Sequence, residues 1–377
     1  MSSNRTTYVP PAHGQTWAHT EPAAAGFDAA KLGQAVAFAE AAETPWPRSF
    51  YHADGRYVGI VEWNETGPWS EVAGFTRVRG GPAGLIMKGG RIVTQWGDPN
   101  RADMTFSVAK SAISICAGIA VADGLIPGLD EPVGRTVKSP LFEGAHNSLI
   151  TWRHLLQQSS EWQGVLFEKS DQVDHNRNLD GQNTRKGEKR ELKTPGSYYE
   201  YNDVRVNVLA LALLHRFGKP LPEVLRERVM NPIGASAEWE WHGYRTSWVD
   251  VAGKRLQSVS GGAHWGGGLF ISAVDLARIG LLFAQGGRWG EKQVLPASWV
   301  KESLTPSPTN PNYGLMWWLN TGRKQHPALP EEAYFALGAG NNMIVVLPKH
   351  DVVAVLRWLD KRQCGGFFER LMAAVKV

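Results

Sequence analysis

Ser107, Lys110, Ser111 and Ser114 stand at i, i+3, i+4 and i+7 in the segment Thr105-Phe106-Ser107-Val108-Ala109-Lys110-Ser111-Ala112-Ile113-Ser114-Ile115-Cys116. On a helix these positions form one line, and the residues between them are Val, Ala, Ile and Cys. A helix so apolar elsewhere is expected to be buried on most sides. A lysine there is costly unless its charge is paired or its pKa lowered. Burial pushes Lys110 towards a base, and Ser107 lies within its reach. A serine hydroxyl needs such a neighbour, because its own pKa leaves it a weak nucleophile. The chemistry on offer is acyl transfer through Ser107.

The Ser-x-x-Lys spacing alone is a weak signal. Ser298-Trp299-Val300-Lys301 has it too, but follows Leu295-Pro296-Ala297 and reads as a short amphipathic surface helix with Lys301 in solvent. For Ser107 the competing interpretation is a capping serine and a snorkelling lysine. The rest of the chain has to decide between them.

The bulk numbers exclude several classes. At 377 residues the chain can bury a full core, as one large α/β unit or as two closely packed lobes, without a disulfide or metal scaffold. An apolar content of 43 % with 20 % charged residues is that of a soluble globular protein, and no stretch approaches the roughly 20 apolar residues of a membrane helix. Met1-Ser2-Ser3-Asn4-Arg5-Thr6-Thr7 runs into a polar, proline-containing arm, so no secretory signal is expected and a cytoplasmic location is. The two cysteines, Cys116 and Cys364, lie far apart without metal-ligand spacing and agree with a reducing compartment. No metal or other cofactor is expected. A net charge of +4 is too small and dispersed for nucleic acid. The densest basic cluster, Arg185, Lys186, Lys189, Arg190 and Lys193, is interrupted by Glu188 and Glu191 and reads as a solvated loop.

The elements that must position Ser107 follow from periodicity. Residues 28–43 form a helix capped by Asp28. Leu85-Ile86-Met87 and Arg91 to Trp96 flank Gly89-Gly90 as a hairpin. Met343 to Leu347 and Val352 to Trp358 flank Pro348 to Asp351 in the same way, and a last helix covers 366–376. Strand pairs near both ends predict an α/β fold with one antiparallel sheet built from the two termini and flanked by helices. Between them, helical spacing covers 107–122, 151–158, 203–217, 221–230 and 273–285, a mostly helical lobe. The division is 1–106 for the arm and first part of the α/β lobe, 107–290 for the helical lobe, and 291–377 for the strands and helix that complete the sheet. Residues 168–193 lack periodicity and are too long for an idle connection, which favours a mobile or site-bordering loop.

With these segments in order, the chain resembles the serine β-lactamase and penicillin-binding-protein superfamily, in its class C and esterase-like branch. Ser107-Val108-Ala109-Lys110 looks like the nucleophile helix. Asp123 to Val133, Leu149 to Ser160, Pro195-Gly196 followed by Tyr201-Asn202-Asp203, His264 to Ser272 and Tyr313 to Trp318 resemble later segments of the branch, so the likeness covers about 85–377. It looks most like family VIII carboxylesterases and 6-aminohexanoate-dimer hydrolases. The resemblance implies a β-lactamase-like fold in which Ser107 is acylated and Lys110 and Tyr201 share the proton traffic. It also implies an oxyanion site made by the N–H groups of Ser107 and Ala339. Only the spacing from Pro195-Gly196 selects Tyr201 among Tyr198, Tyr199 and Tyr201. Gly338 would border the substrate, as a glycine admits close approach, although a tight turn needs one as well. Trp162 and Trp265 fit an apolar acyl or alcohol pocket, and His264 reads first as a structural histidine.

Two departures matter. Asp203 stands where the branch usually has Asn, and a carboxylate beside Lys110 would oppose its use as a free base. Either Asp203 points away, or Lys110 stays protonated and Tyr201 is the operating base; the second is adopted. At the sheet edge, Ala336-Leu337-Gly338 lacks the Lys or His that grips a substrate carboxylate in lactamases. With Asp203 placed beside the substrate, a negatively charged β-lactam should bind poorly. The expected substrate is a small ester or linear amide. The alternatives are β-lactamase or D-amino-acid peptidase activity, or a catalytically silent binding member of the fold. No G-x-S-x-G elbow, H-E-x-x-H pair, G-x-G-x-x-G fingerprint or P-loop is present. Oligomeric state is left open.

Overall fold

The computed structural model describes residues 8–65, 69–179 and 182–376. The Met1 to Thr7 segment, on which the expectation of no leader rests, lies outside the described residues. The strands used below are β1 (Ala83–Lys88), β2 (Arg91–Trp96), β3 (Asp103–Met104), β4 (Glu240–Val251), β5 (Lys254–Val259), β6 (Gly268–Ile271), β7 (Trp318–Leu319), β8 (Tyr334–Gly338), β9 (Asn342–Leu347) and β10 (Val352–Arg357). The helices are α1 (Ala29–Ala41), α2 (Val108–Ala122), α3 (Trp152–Leu156), α4 (Asp203–Phe217), α5 (Leu221–Leu225), α6 (Ala273–Ala284) and α7 (Cys364–Ala374).

The main sheet joins the two chain ends. Its order is β7-β8-β9-β10-β1-β2, antiparallel throughout, with β10 pairing β1 so that Leu85 faces Val355. Gly89 and Gly90 turn β1 into β2 with φ of +58° and +79°, the left-handed conformation such a hairpin demands and glycine adopts without strain. One face of the sheet is covered by α1 and α7, where Phe27, Leu32, Phe367, Phe368 and Leu371 pack on Ile86, Phe335, Val345 and Leu356. Asp28 starts α1 by accepting from the Lys31 N–H at 3.0 Å.

The other face carries α6, which lies against β1, β9 and β10. It approaches so closely at Gly280 that a Cβ there would stand 2.6 Å from the Val353 side chain and 2.7 Å from that of Ile344. This helix, grouped above with the helical lobe, therefore belongs to the layer on the sheet. Helix α2 runs through the centre of the molecule, packed against α4, α5 and β8, and every residue from Val108 to Ala120 is buried. The remaining lobe is not all helical. A hairpin of β4 and β5 and a short sheet of β3, β6 and β4 stand among its helices. Their sequences lack clean alternation: the burial of β4 is interrupted by a register shift between Gly243 and Trp248.

The loop expected to be mobile or site-bordering is fastened by buried ion pairs. Arg190 reaches Glu161 at 2.6 Å and Glu200 at 2.7 Å, and Arg205 of α4 reaches Glu161 at 2.7 Å. Lys186 pairs with Glu65, its side chain 1 % exposed. The basic cluster is thus partly an internal clamp, which corrects the solvated-loop expectation for Lys186 and Arg190. No helix among the described residues is long and apolar enough to cross a membrane.

The two kinds of helical glycine should respond oppositely to a methyl group. Gly280→Ala is expected to lower stability by about 1–3 kcal/mol through overpacking. Gly33→Ala, on the exposed face of α1 with nothing within 4 Å of a built Cβ, is expected to raise it by about 0.5–1 kcal/mol. Thermal and denaturant midpoints of the two variants check this.

Candidate active site

Ser107 is the N-cap of α2, and the chain reaches it through a left-handed turn at Phe106 with φ of +50°. A bulky residue in that conformation stores strain, which surrounding packing has to hold. Phe106 is held by Phe50, Trp46 and Trp358, with ring centroids at 5.8, 5.6 and 6.5 Å. Two glycines close on the same turn. A Cβ on Gly262, where φ is +78°, would fall 1.8 Å from the Phe106 carbonyl oxygen, and one on Gly338 would fall 1.9 Å from that of Thr105. Both would also lie within 3.2 Å of the Ser107 nitrogen. Only glycine lets two backbones approach the Ser107 turn this closely.

Lys110, one helical turn along, is 1 % exposed. Its Nζ donates to Ser107 Oγ at 2.8 Å and to the Gly261 carbonyl at 3.1 Å, and pairs with Asp203 Oδ1 at 2.6 Å. Two hydrogen bonds and one ion pair thus engage the amine. Further along the same line, Ser111 donates to the Met316 carbonyl at 2.8 Å and so ties α2 to the turn that carries Trp317 and Trp318.

Asp203 therefore does not point away. It opens α4, whose N-cap is Asn202: the Asn202 Oδ1 accepts from the Val204 and Arg205 N–H groups at 3.1 and 3.2 Å. The cap fixes Tyr201 just outside the helix and Asp203 in its first turn, where the helix dipole favours an anion. The Asp203 Oδ2 is shared by Arg177 at 2.8 Å and His264 Nδ1 at 3.3 Å. Burial alone would raise the Asp203 pKa, but Lys110, Arg177 and His264 outweigh it and hold the carboxyl well below the usual carboxylate range. With both oxygens taken and 1 % of its surface exposed, Asp203 is a partner of Lys110 and not the substrate contact expected above.

Tyr201 is brought to the same place. Its ring stacks on Trp318 at 5.5 Å and lies 5.0 Å from Lys110 Nζ and 5.3 Å from the Arg177 guanidinium. No hydrogen bond among the described residues joins its hydroxyl to Ser107 or Lys110. Ala339 begins a tight turn, Ala339–Asn341, directly after Gly338. Among the described residues no protein acceptor takes the N–H of either Ser107 or Ala339. Two open donors, one at a helix N-terminus, suit a developing oxyanion.

Trp162 and Trp265 are corrected. Both are fully buried, with indole N–H groups donating to the carbonyls of Leu141 and Trp69 at 2.7 and 2.8 Å, so neither walls a cleft beside Ser107. Four further contributors escaped the sequence: Arg177, Glu65, Asn342 and Arg357. Asn342 Nδ2 donates to the Ala339 carbonyl at 2.7 Å, and the buried Arg357 donates to Asn342 Oδ1 at 2.7 Å, which fixes the Ala339 turn. Glu65 takes His264 Nε2 at 2.5 Å. Glu65, Asp174 and His264 offer ligand atoms within 4.8 Å of one another, but the Lys186 ammonium already pairs with Glu65 and Asp174 and supplies the positive charge there.

The beta-lactamase family model matches residues 72–358. A protein of Escherichia coli (strain K12), provisionally described as a D-alanyl-D-alanine carboxypeptidase, is 24 % identical over 195 residues, 43 % of this chain and 45 % of that one. The chain thus spans under half the length of that curated relative. Among solved structures, a provisionally assigned 6-aminohexanoate-dimer hydrolase from Bacillus anthracis superposes with a TM-score of 0.53 at 19 % identity, covering 77 % of each chain. EstCE1, a hydrolase with promiscuous acyltransferase activity, superposes with a TM-score of 0.54 at 16 % identity, covering 92 % of this chain and 99 % of its own.

The Lys110–Asp203 pair can be tested by stability. Asp203→Asn leaves Lys110 and Arg177 without their common anion, so it should cost about 3–5 kcal/mol at pH 7. Because the folded pKa of Asp203 is depressed, its contribution is present above its unfolded pKa of about 3.9 and is lost as pH falls through the folded value. Denaturant titrations should show the gap between wild type and variant constant from pH 7 to 5 and narrowing below about pH 4.

Proposed function

The chain belongs to the beta-lactamase family, and from that premise we propose that it is a serine hydrolase that cleaves uncharged carboxylic esters or small linear amides through an acyl-enzyme on Ser107. The observation that carries the proposal is the hydrogen bond from Lys110 to Ser107 beside two unengaged backbone N–H groups. The nucleophile, the lysine that orients it and the oxyanion donors stand at one helix terminus.

In this reading Ser107 Oγ attacks the carbonyl carbon while its proton passes to Tyr201, and the oxyanion sits between the Ser107 and Ala339 N–H groups. Lys110 donates to Ser107 Oγ and the Gly261 carbonyl and is ion-paired with Asp203, so in this reading it orients the serine instead of taking its proton. It holds Ser107 Oγ in line and, with Arg177, places positive charge beside the Tyr201 ring. Tyr201 enters the step as phenolate and leaves it as phenol, having taken the serine proton. Tyr201 has to move or use one water to reach Ser107, and such contacts commonly tighten only when substrate is bound. The same tyrosine then gives the proton to the departing alkoxide or amine, and water releases the acid by the reverse sequence.

Esters and linear amides are favoured over β-lactams and over peptides ending in a free carboxylate. Ala336-Leu337-Gly338 supplies no cation at the sheet edge, and Asp203 no longer counts in this choice, since Lys110 and Arg177 neutralise it. Purified protein should hydrolyse p-nitrophenyl acetate and gain an acyl mass on Ser107; Ser107→Ala should do neither. Tyr201→Phe should lower kcat about 10²- to 10⁴-fold. Near-wild-type acylation by Tyr201→Phe across the pH profile would remove Tyr201 as base, and efficient penicillin or cephalosporin turnover would overturn the substrate class.

A further inference from the structure

We infer that Trp46 and Trp63, from the segment preceding the first strand, form the wall that receives the acyl group, and that the enzyme prefers extended or aromatic apolar acyl chains over acetyl. The inference rests on the proposed Ser107 chemistry and names the substrate class for it. Trp46 meets Phe106, the residue before the nucleophile, edge-on at 5.6 Å, and meets Trp63 edge-on at 5.8 Å. Trp63 stacks flat on His264, with centroids 5.3 Å apart and planes at 21°. His264 in turn holds Asp203. Trp46 and Ala339 both pack at the margin of one apolar cluster built from Phe50, Tyr57, Val58, Met104, Phe106 and Trp358. The two indoles therefore run from the oxyanion turn to the charge cluster beneath Lys110.

Unlike Trp152, Trp162, Trp239, Trp265, Trp317 and Trp358, which are sealed in the core, Trp46 and Trp63 are only partly buried. Two adjacent, partly exposed indoles beside the turn that carries Ser107 are apolar surface held open at a cost that a bound apolar group relieves. The geometry also divides the substrate. Tyr201 has to protonate the leaving atom, so the leaving group lies along Tyr201 and the Trp318 ring stacked on it. The acyl group is left the side bounded by Ala339 and the two indoles. The cations beside this wall are already committed: the Arg177 guanidinium, 5.8 Å from the Trp63 ring, to Asp203 and Asp174, and the Arg79 guanidinium, which donates to the Trp46 carbonyl at 2.5 Å, to Glu43. A neutral acyl chain fits these surroundings.

The test is a matrix of p-nitrophenyl acetate, octanoate and phenylacetate, with a second series of acetates of different alcohols, run on wild type, Trp46→Ala, Trp63→Ala and Trp63→Phe. The ratio of kcat/KM for octanoate over acetate should fall about tenfold in each alanine variant and recover in Trp63→Phe, as expected when a hydrophobic wall is lost and restored. The ranking of alcohols should not change. Equal losses on all acyl chains, or a loss that follows the alcohol, would overturn the assignment. Calorimetric binding of octanoate and acetate esters to Ser107→Ala, with and without Trp46→Ala, reads the subsite without turnover. Tighter octanoate binding that Trp46→Ala abolishes supports it even if Tyr201 is not the base, and indifference to chain length rejects it even if Ser107 is acylated.

Discussion

A lysine can sit inside this protein only because a carboxylate meets it there. Lys110 lies on a helix that is buried from Val108 to Ala120, and its burial would be prohibitive without Asp203 at 2.6 Å. Buried ion pairs are poor sources of net stability, since desolvation consumes most of their attraction, so their retention points to what the charge does in place. The pair sets the packing of α2 against α4. It also fixes the N-cap at Asn202, because only a helix starting there carries Asp203 inward and leaves Tyr201 beside the amine. Arg177 then becomes necessary to satisfy the second oxygen, and through Arg177 the long loop is drawn onto the site.

The second constraint is steric. The nucleophile turn is gripped between Gly262 and Gly338, each too close to a carbonyl oxygen to carry a Cβ. One follows β5 and the other ends β8, so the turn is where the main sheet meets the smaller sheet beside it. Buried Arg357 serves the same junction: from β10 it reaches Asn342 on β9, the Ile271 carbonyl of β6 and the Met104 carbonyl of β3. Burial lowers its pKa to about 10, which still leaves it a cation at neutral pH. The backbone around Ser107 is thus positioned by atoms with no part in the chemistry, as a preorganised oxyanion site requires.

How much of this the sequence discloses depends on whether the cause is local. Helices with clean 3.6 spacing, the Gly89-Gly90 hairpin and the polar line on α2 were legible because each is set by neighbours in the chain. The sheet built from both ends followed from strand pairs whose partners are close in sequence. The β4 and β5 hairpin was not, since its register shifts and its faces are not cleanly alternating. Arg177 and Glu65 were invisible for a different reason: a charged residue in an irregular loop reads as solvated until the fold brings it against Asp203 or Lys186. The tryptophans failed in the same way. Trp265 lies in, and Trp162 just beyond, the segments of the recognised pattern, and both are core, while Trp46 and Trp63 lie far from those segments and are partly exposed beside the Phe106 turn.

The charge arrangement has a consequence for selectivity that the individual residues do not show. Around the nucleophile, Lys110 and Arg177 stand against Asp203 and Asp174, two cations against two anions, with Glu65 and Lys186 as a further matched pair. A site so balanced exerts little net field on an approaching charge, because opposite charges a few ångströms apart cancel at a distance. Nothing at Ala336-Leu337-Gly338 adds an uncompensated cation. A substrate carboxylate would lose its hydration and gain no partner, a cost of several kcal/mol that binding would have to overcome. Under the proposed function, discrimination then rests on shape and apolar contact, to which Trp46, Trp63 and Trp318 bring partly exposed rings.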